Sequence, residues 1–558
     1  MLGTVFVWFR NLARATGNSW QRLRRRRVDY VRIEIGGALP EFAPTPPWWQ
    51  RRFFQISAPA SLQGLRRQLG RIAADPQAQG VLLRINGLAT GWATLQSLRD
   101  EIAHFRASGK RAIAYLLTPD MAGYYAACAA DEIIIPPSAT LMIVGLRAEI
   151  QFLKDALAKI GLAAEVEAVS PYKSAGEMFV RSDISPEHRE QLDRLLDARF
   201  AEVLRAIGVG RNKTPDQVRT LIDQALLSAR AALEAGLVDA LRYEDELDEH
   251  LKCGDGAPVI LDWNEAHKAL RLPPARFHRK LVGVVAVEGA IATGNSRNLP
   301  VPIPLIGGRQ AGADSIGQAL RLAERNRRIA AVVLYVNSPG GDAFASDLIW
   351  REVLRLRKKK PVVVAMGDTA ASGGYYIAAP ASAIVAQPGT VTGSIGVVLL
   401  RPIAAGLFER AGINTVVLSR GARSGVLSII DPPSEDERGA LRDLIFTSYA
   451  EFKQRVREGR ALSEERLDPI AGGRVWLGQE ALALGLVDQL GGLPAALLRA
   501  QELADLPRDR AAPLLLLRGD RERLPPQPFP IDTPAGIVRE LAAALRPRVW
   551  ALLPFDGV

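Results

Sequence analysis

The chain has 558 residues, 48% of them hydrophobic and 23% charged, with a formal charge of +11 and two cysteines. That length exceeds one ordinary core and predicts two domains with appendages. The composition is that of a globular protein, and Cys128 and Cys253 cannot make a disulfide framework; one bond between them is allowed by number alone. No CxxC or HExxH spacing suggests a zinc site and no GxxxxGK(S/T) phosphate-binding motif is present, so neither a metal nor a nucleotide cofactor is expected.

Residues 1–30 come first. They hold seven arginines against Asp29, a net +6, beside the apolar start "MLGTVFVWF" and Trp20. A helix lying on an anionic membrane and a basic tail both fit this mixture. Nucleic acid is not expected as a partner, because no reader motif accompanies the charge. No window reaches the roughly 18 apolar residues of a spanning helix. No small-residue cleavage site follows the opening stretch, so neither export nor insertion by a conventional signal is expected. The membrane surface and the cytoplasm are the two remaining locations.

From residue 31 to residue 503 the chain carries two copies of one unit. A shift of 251 places "VLLRING" (Val81–Gly87) on "VVLYVNS" (Val332–Ser338), and "GYYAACAA" from Gly123 on "GYYIAAPA" from Gly374. Later, "ALEAGLVDAL" and "ALALGLVDQL" match with a shift of 249. In the second copy "KLVGVVAVEGAI", "IAAVVLYVN" and "PVVVAMG" are apolar strand runs. "SIGQALRLAERN" and "ASDLIWREVLRLRKK" between them have helical spacing. That alternation predicts α/β domains with parallel sheets covered on both faces. The expected organisation is a segment 1–30, a first domain 31–250, a linker 251–280, a second domain 281–503 and a tail 504–558. The tail ends in an amphipathic helical run, "GIVRELAAALRPRVWALL".

The copies differ where chemistry would sit. "NSPGGDAFAS" (Asn337–Ser346) in the second copy stands against "NGLATGWAT" in the first. Adjacent glycines let backbone N–H groups face a ligand, although a plain tight turn needs them equally. Ser372 stands against Met121, at the expected start of a short helix, where a serine is also an ordinary N-cap. An activated serine needs a base, and none of the five histidines lies in the second copy. Lysine serves when burial lowers its pKa. Lys173, in "SPYKSAGEMF", sits among small and apolar residues; the second copy has Arg423 or Ser424 there. Each copy thus keeps half of a site, as expected when an ancestral unit pairs with itself and then duplicates.

"NSPGGDAFAS", "DTAASGGYYIAAPA", "GTVTGSIGV" and "PYKSAGE" together resemble the long, duplicated form of the signal peptide peptidase A (SppA) family. The resemblance covers roughly residues 30–500. It implies two tandem ClpP/crotonase-like domains, spirals of β-β-α units, and a serine endopeptidase acting on signal peptides or other extended peptides through an acyl-enzyme. Ser372 would be the nucleophile and Lys173 the general base, reaching across the domain interface. Ser394 would hold the lysine amine, and the backbone N–H groups of Gly341 and Gly373 would form the oxyanion hole. The resemblance also implies an inner-membrane location and a ring- or dome-shaped homo-oligomer, a tetramer among the forms. The competing readings are a crotonase-type acyl-CoA enzyme and a peptide-binding scaffold without catalysis.

Overall fold

The computed structural model describes residues 8–16, 18, 27–43, 60–252, 257–274, 276, 278–299, 308–519 and 548–552. Most of the arginine cluster of the first 30 residues, and 520–547 of the tail, lie outside the described residues. Contacts divide the chain into two compact units. One comprises Met1–Arg147 and Asp197–Arg279, the other Ala148–Leu196 and Lys280–Val558.

The first unit is built on a six-stranded parallel sheet. Its order is Ala240–Leu241, Glu132–Ile135, Arg111–Thr118, Gly80–Leu88, Tyr30–Gly37, Ile260–Asp262. Val81, Leu82, Leu83 and Ile85 are all buried, which is why this strand reads as a continuous apolar run rather than an alternation. The helix Leu62–Ala74 starts where Ser61 accepts a hydrogen bond from the Gly64 amide. It buries a stripe of Leu62, Leu65, Leu69 and Ile72, spaced three and four residues apart. Cys128 is a buried free thiol. The expected linker differs from expectation. Ile260–Asp262 adds an edge strand to this sheet, held by the Val259 amide donating to buried Asp29 at 2.8 Å.

The second unit carries two sheets. The larger runs Val475–Leu477, Val391–Gly393, Val362–Ala371, Ile329–Ser338, Leu281–Glu288, Leu514–Leu517. Its long central strands are parallel, and Val391–Gly393 pairs antiparallel with Val475–Leu477. Two of the long strands lead into short ones before the next long helix. Leu281–Glu288 is followed by Ala290–Ala292 and the helix Ala313–Arg325; Ile329–Ser338 by Gly340–Asp342 and the helix Ala343–Arg357. This is the β-β-α succession that the resemblance implied. The short strands join a second sheet, in the order Arg297–Leu299, Gly308–Gly312, Ala290–Ala292, Gly340–Asp342, Arg548–Leu552, Val398–Ile403, Ala163–Ala168.

By contacts, residues 148–196 group with the second unit, although they precede residue 250, where the first sequence repeat was expected to end. Ala163–Ala168 pairs antiparallel with Val398–Ile403 along six residues, and Gln191 accepts from the Val475 amide at 2.8 Å. Arg548–Leu552, read as the end of an amphipathic helix, is a strand paired antiparallel on both sides. Its partners, Gly340–Asp342 and Val398–Leu400, lie far off in the sequence, where local periodicity does not report them.

The duplication extends to individual bonds. Tyr124 and Tyr375 each donate a hydroxyl hydrogen bond to a backbone carbonyl, of Leu237 and Leu486. Asp239 and Asp488 each accept from a strand amide, Ile133 and Ile384, and each pairs with an arginine, Arg211 and Arg460. These pairs recur with the 249–251 shift read from the sequence.

Candidate active site

The strand Val362–Ala371 ends at Ser372, and the helix Gly373–Ala378 begins one residue later. Ser372 has φ 55° and ψ −117°, a backbone region that non-glycine residues rarely occupy. Such a conformation costs on the order of 1–3 kcal/mol and persists only where surroundings impose it. Its amide is held by the Gly393 carbonyl at 2.8 Å. Its side chain makes no capping bond, so the ordinary N-cap reading does not apply. A sharp strand-to-helix turn that projects a hydroxyl is the geometry of a nucleophile elbow.

The register of the sheet brings Ser394 alongside. Ala371 pairs with Gly393, so the residues that follow, Ser372 and Ser394, are neighbours. Ser394 also has a positive φ, 50°, and its amide donates to the Arg474 carbonyl at 2.7 Å.

Lys173 arrives from the strand Ala163–Ala168. Its segment lies on the turn Gly472–Arg474, with Ser170 donating to the Gly472 carbonyl at 2.6 Å. A Cβ on Gly473 would stand 2.6–2.8 Å from Lys173 backbone and Cβ atoms, so only glycine allows this approach. The Arg474 guanidinium sits 3.5 Å from the centre of the Tyr172 ring, and Tyr172 donates to Glu190 at 2.8 Å. Arg194 bonds Glu480 and the Val475 carbonyl from the next helix.

Lys173 is only 1% exposed. Its Nζ lies 2.7 Å from Ser372 Oγ, 2.8 Å from Ser394 Oγ and 3.0 Å from the Ser394 carbonyl oxygen. Burial drives its pKa well below the ordinary 10.5. A neutral amine has two N–H donors and one lone pair. The Ser394 carbonyl must accept one N–H, and Ser394 Oγ can accept the other. The lone pair then faces the Ser372 hydroxyl, which donates to it. The three contacts match a neutral amine, and the arrangement can take a proton from Ser372.

Gly341 sits in the short strand Gly340–Asp342, paired with Ile291. A Cβ there would overlap the Ile291 carbonyl oxygen. Gly373 is equally constrained: its Cβ would come within 2.6 Å of Ser346 Oγ and 3.2 Å of the Gly341 nitrogen. The Gly341 nitrogen therefore lies against Gly373, next to Ser372. The five residues singled out from the sequence, Lys173, Gly341, Ser372, Gly373 and Ser394, thus come together within the second unit. Ser170, Gly472, Gly473 and Arg474 were missed. A signal existed: the Gly472-Gly473 pair aligns with Asp223-Gln224 in the first copy, one more difference of the same kind.

Comparison with known proteins identifies the family. The model of Peptidase family S49 matches twice, over residues 104–256 and 355–507, and that of Clp protease over 308–388. Serine protease SPPA, chloroplastic, of Arabidopsis thaliana is 31% identical over 522 residues, 91% of this chain and 73% of that protein. Protease 4 of Haemophilus influenzae is 32% identical over 457 residues, 78% of this chain and 72% of its own. A putative signal peptide peptidase SppA of Enterococcus faecium is 32% identical over 213 residues, 38% of this chain and 60% of its own. The chain is a serine peptidase built from two tandem ClpP/crotonase-like repeats. It belongs to peptidase family S49.

Proposed function

We propose that the protein is an endopeptidase with a Ser372–Lys173 dyad, acting on signal peptides and other extended peptides through an acyl-enzyme. The 2.7 Å approach of Lys173 Nζ to Ser372 Oγ, both buried, carries this reading. Neutral Lys173 takes the Ser372 proton as Oγ attacks the scissile carbonyl. The Gly341 and Gly373 amides receive the oxyanion; losing one such donor costs about 2.7–4 kcal/mol of barrier. The lysine passes its proton to the leaving amine, and the C–N bond breaks. Water then attacks the ester, giving up a proton to Lys173, and Ser372 leaves with that proton restored. Ser394 holds the amine in line throughout.

The extended form of the substrate has separate support. Arg548–Leu552 lies as a strand between Gly340–Asp342 and Val398–Leu400, antiparallel to both. The space beside Gly341 therefore suits a peptide in β conformation, bonded along both edges. A signal-peptide substrate is supported by the similarity to the putative signal peptide peptidase of Enterococcus faecium.

Peripheral membrane attachment and self-assembly complete the proposal. No helix among the described residues is long and apolar enough to cross a membrane. The arginines and apolar residues of positions 1–27 suit an anionic surface.

Turnover of a chromogenic peptide ester tests the dyad. Ser372→Ala should abolish it, and Lys173→Ala should lower kcat by about 10²–10⁴-fold, the worth of a general base. Full activity in both variants would remove the assignment.

A further inference from the structure

The turn that presents Gly341 is braced from within by one buried hydroxyl. Ser338 ends the strand Ile329–Ser338 and is fully buried. Its Oγ accepts from the Gly340 amide at 3.2 Å and donates to the Gly340 carbonyl oxygen at 3.3 Å. The Ser338 backbone packs against the helix that follows Ser372: a Cβ on Gly374 would stand 2.8 Å from the Ser338 carbonyl oxygen.

This hydroxyl is not part of the plan that the two copies share. Bonds that only hold the fold recur in both, as the hydroxyls of Tyr124 and Tyr375 do on the carbonyls of Leu237 and Leu486. With the shift of 251, Ser338 falls on Gly87, Gly340 on Ala89 and Gly341 on Thr90. The copy without a nucleophile thus has neither the hydroxyl nor the two glycines.

The geometry of the peptide group links the hydroxyl to the chemistry. In a trans peptide the C=O and the N–H point in opposite directions. The Gly340 carbonyl and the Gly341 N–H belong to one such group. A bond from Ser338 to the carbonyl therefore turns the Gly341 N–H the other way. The Gly341 nitrogen lies 3.2 Å from where a Cβ on Gly373 would stand, next to Ser372. The backbone does not fix this orientation by itself. Gly340 has φ 107° and Gly341 φ 155°, and a peptide between two glycines rotates with little steric hindrance. Pairing with Ile291 involves Gly341 alone.

We propose that Ser338 is a positioning residue for the oxyanion hole: its hydroxyl holds the Gly340–Gly341 peptide with the Gly341 N–H towards the developing oxyanion. This role rests on Gly341 being an oxyanion donor, as proposed above. A preorganised donor matters most where charge develops, so Ser338 acts on the transition state more than on the bound substrate.

Steady-state turnover of the chromogenic peptide ester by the full chain tests this. Ser338→Ala should lower kcat about 10–10²-fold, short of the roughly 10²–10³-fold for loss of a whole oxyanion donor, with KM unchanged. Affinity for a peptide aldehyde, whose hemiacetal with Ser372 sets its oxygen in the same hole, should fall by a similar factor. The low-pH limb set by Lys173 should keep its position, because the base is untouched. Ser338→Thr keeps the hydroxyl and should keep most of the rate. Unchanged kcat in Ser338→Ala would overturn the proposal, as would a loss confined to KM or an equal loss in folded Ser338→Thr. A fall in kcat that only follows a loss of folded protein, with aldehyde affinity unchanged, would overturn it too. Ser372→Ala measured alongside separates the two readings. If it is inactive while Ser338→Ala is fully active, only the role of Ser338 is removed; if it is active, the dyad itself is removed.

Discussion

At Lys173 two opposing demands are met in one side chain. A charged amine would be the better donor to Ser394, but burial penalises the charge and lowers the pKa well below 10.5. Burial therefore favours the neutral amine, the form that can serve as a base. The sign of the pH dependence follows. The base form grows as pH rises through the pKa of Lys173, and burial has moved that pKa well below 10.5. The acylation rate should rise along a single limb of unit slope at low pH and reach its plateau well before an ordinary lysine would titrate. Single-turnover kinetics of ester cleavage measures this. A limb centred near the ordinary lysine value would contradict it. Ser372 and Lys173 were legible in the sequence because the two copies could be compared, Ser372 against Met121 and Lys173 against Arg423 or Ser424, and Ser394 was legible through the family resemblance. The positive φ of Ser372 and Ser394 was not legible, since it arises from partners at Gly393 and Arg474 that no local pattern announces.

Among the elements, the strand Ala163–Ala168 matters most, because it carries the lysine to the serine. Its six-residue pairing with Val398–Ile403 includes fully buried Arg401, bonded to Glu165 at 2.9 Å, with Arg438 on the other oxygen of the same carboxylate. Removing one member of such a pair leaves a charge short of its partner and costs up to about 3–5 kcal/mol. Arg401→Ala should therefore lower the thermal midpoint and reduce kcat, although Arg401 is bonded to neither Ser372 nor Lys173. Thermal unfolding and ester turnover measured together check this; unchanged values for both would show that the strand does not depend on the pair. Local periodicity predicted the helices Ala313–Arg325 and Ala343–Arg357 to within two residues. It placed the end of the strand Val362–Ala371 four residues early, because Thr369–Ala371 is extended by pairing with Val391–Gly393. The final strand, Arg548–Leu552, was hidden for the same reason: its partners lie some 150 and 210 residues away in sequence.

For the whole molecule, duplication sets the organisation. Two copies of one plan let each lose the half of the site that the other supplies, and contacts then group the lysine segment 148–196 with the serine-bearing unit. Chain order alone suggested a lysine in a separate front domain, because sequence reports adjacency along the backbone and not through sheet pairing. Charge is also a property of the whole molecule. More than half of the net +11 lies within the first 30 residues. Each basic residue near an anionic surface contributes about 1 kcal/mol, and salt screens it over roughly 10 Å. Removing residues 1–26 should weaken binding to phosphatidylserine vesicles, and raising salt should weaken binding of the full chain in the same way. Vesicle flotation checks both. Equal flotation of the shortened and full chains would place membrane contact elsewhere.

The protonation state of Lys173 tests the central claim most directly. With lysine labelled at Cε, heteronuclear NMR of the Ser372→Ala protein, with Lys173→Arg as the assignment control, follows that one side chain through pH. The account requires a signal of an uncharged amine at neutral pH, titrating well below 10.5. A Lys173 signal that stays charged until it titrates near 10.5 would contradict the account, because a protonated amine cannot accept the proton of Ser372.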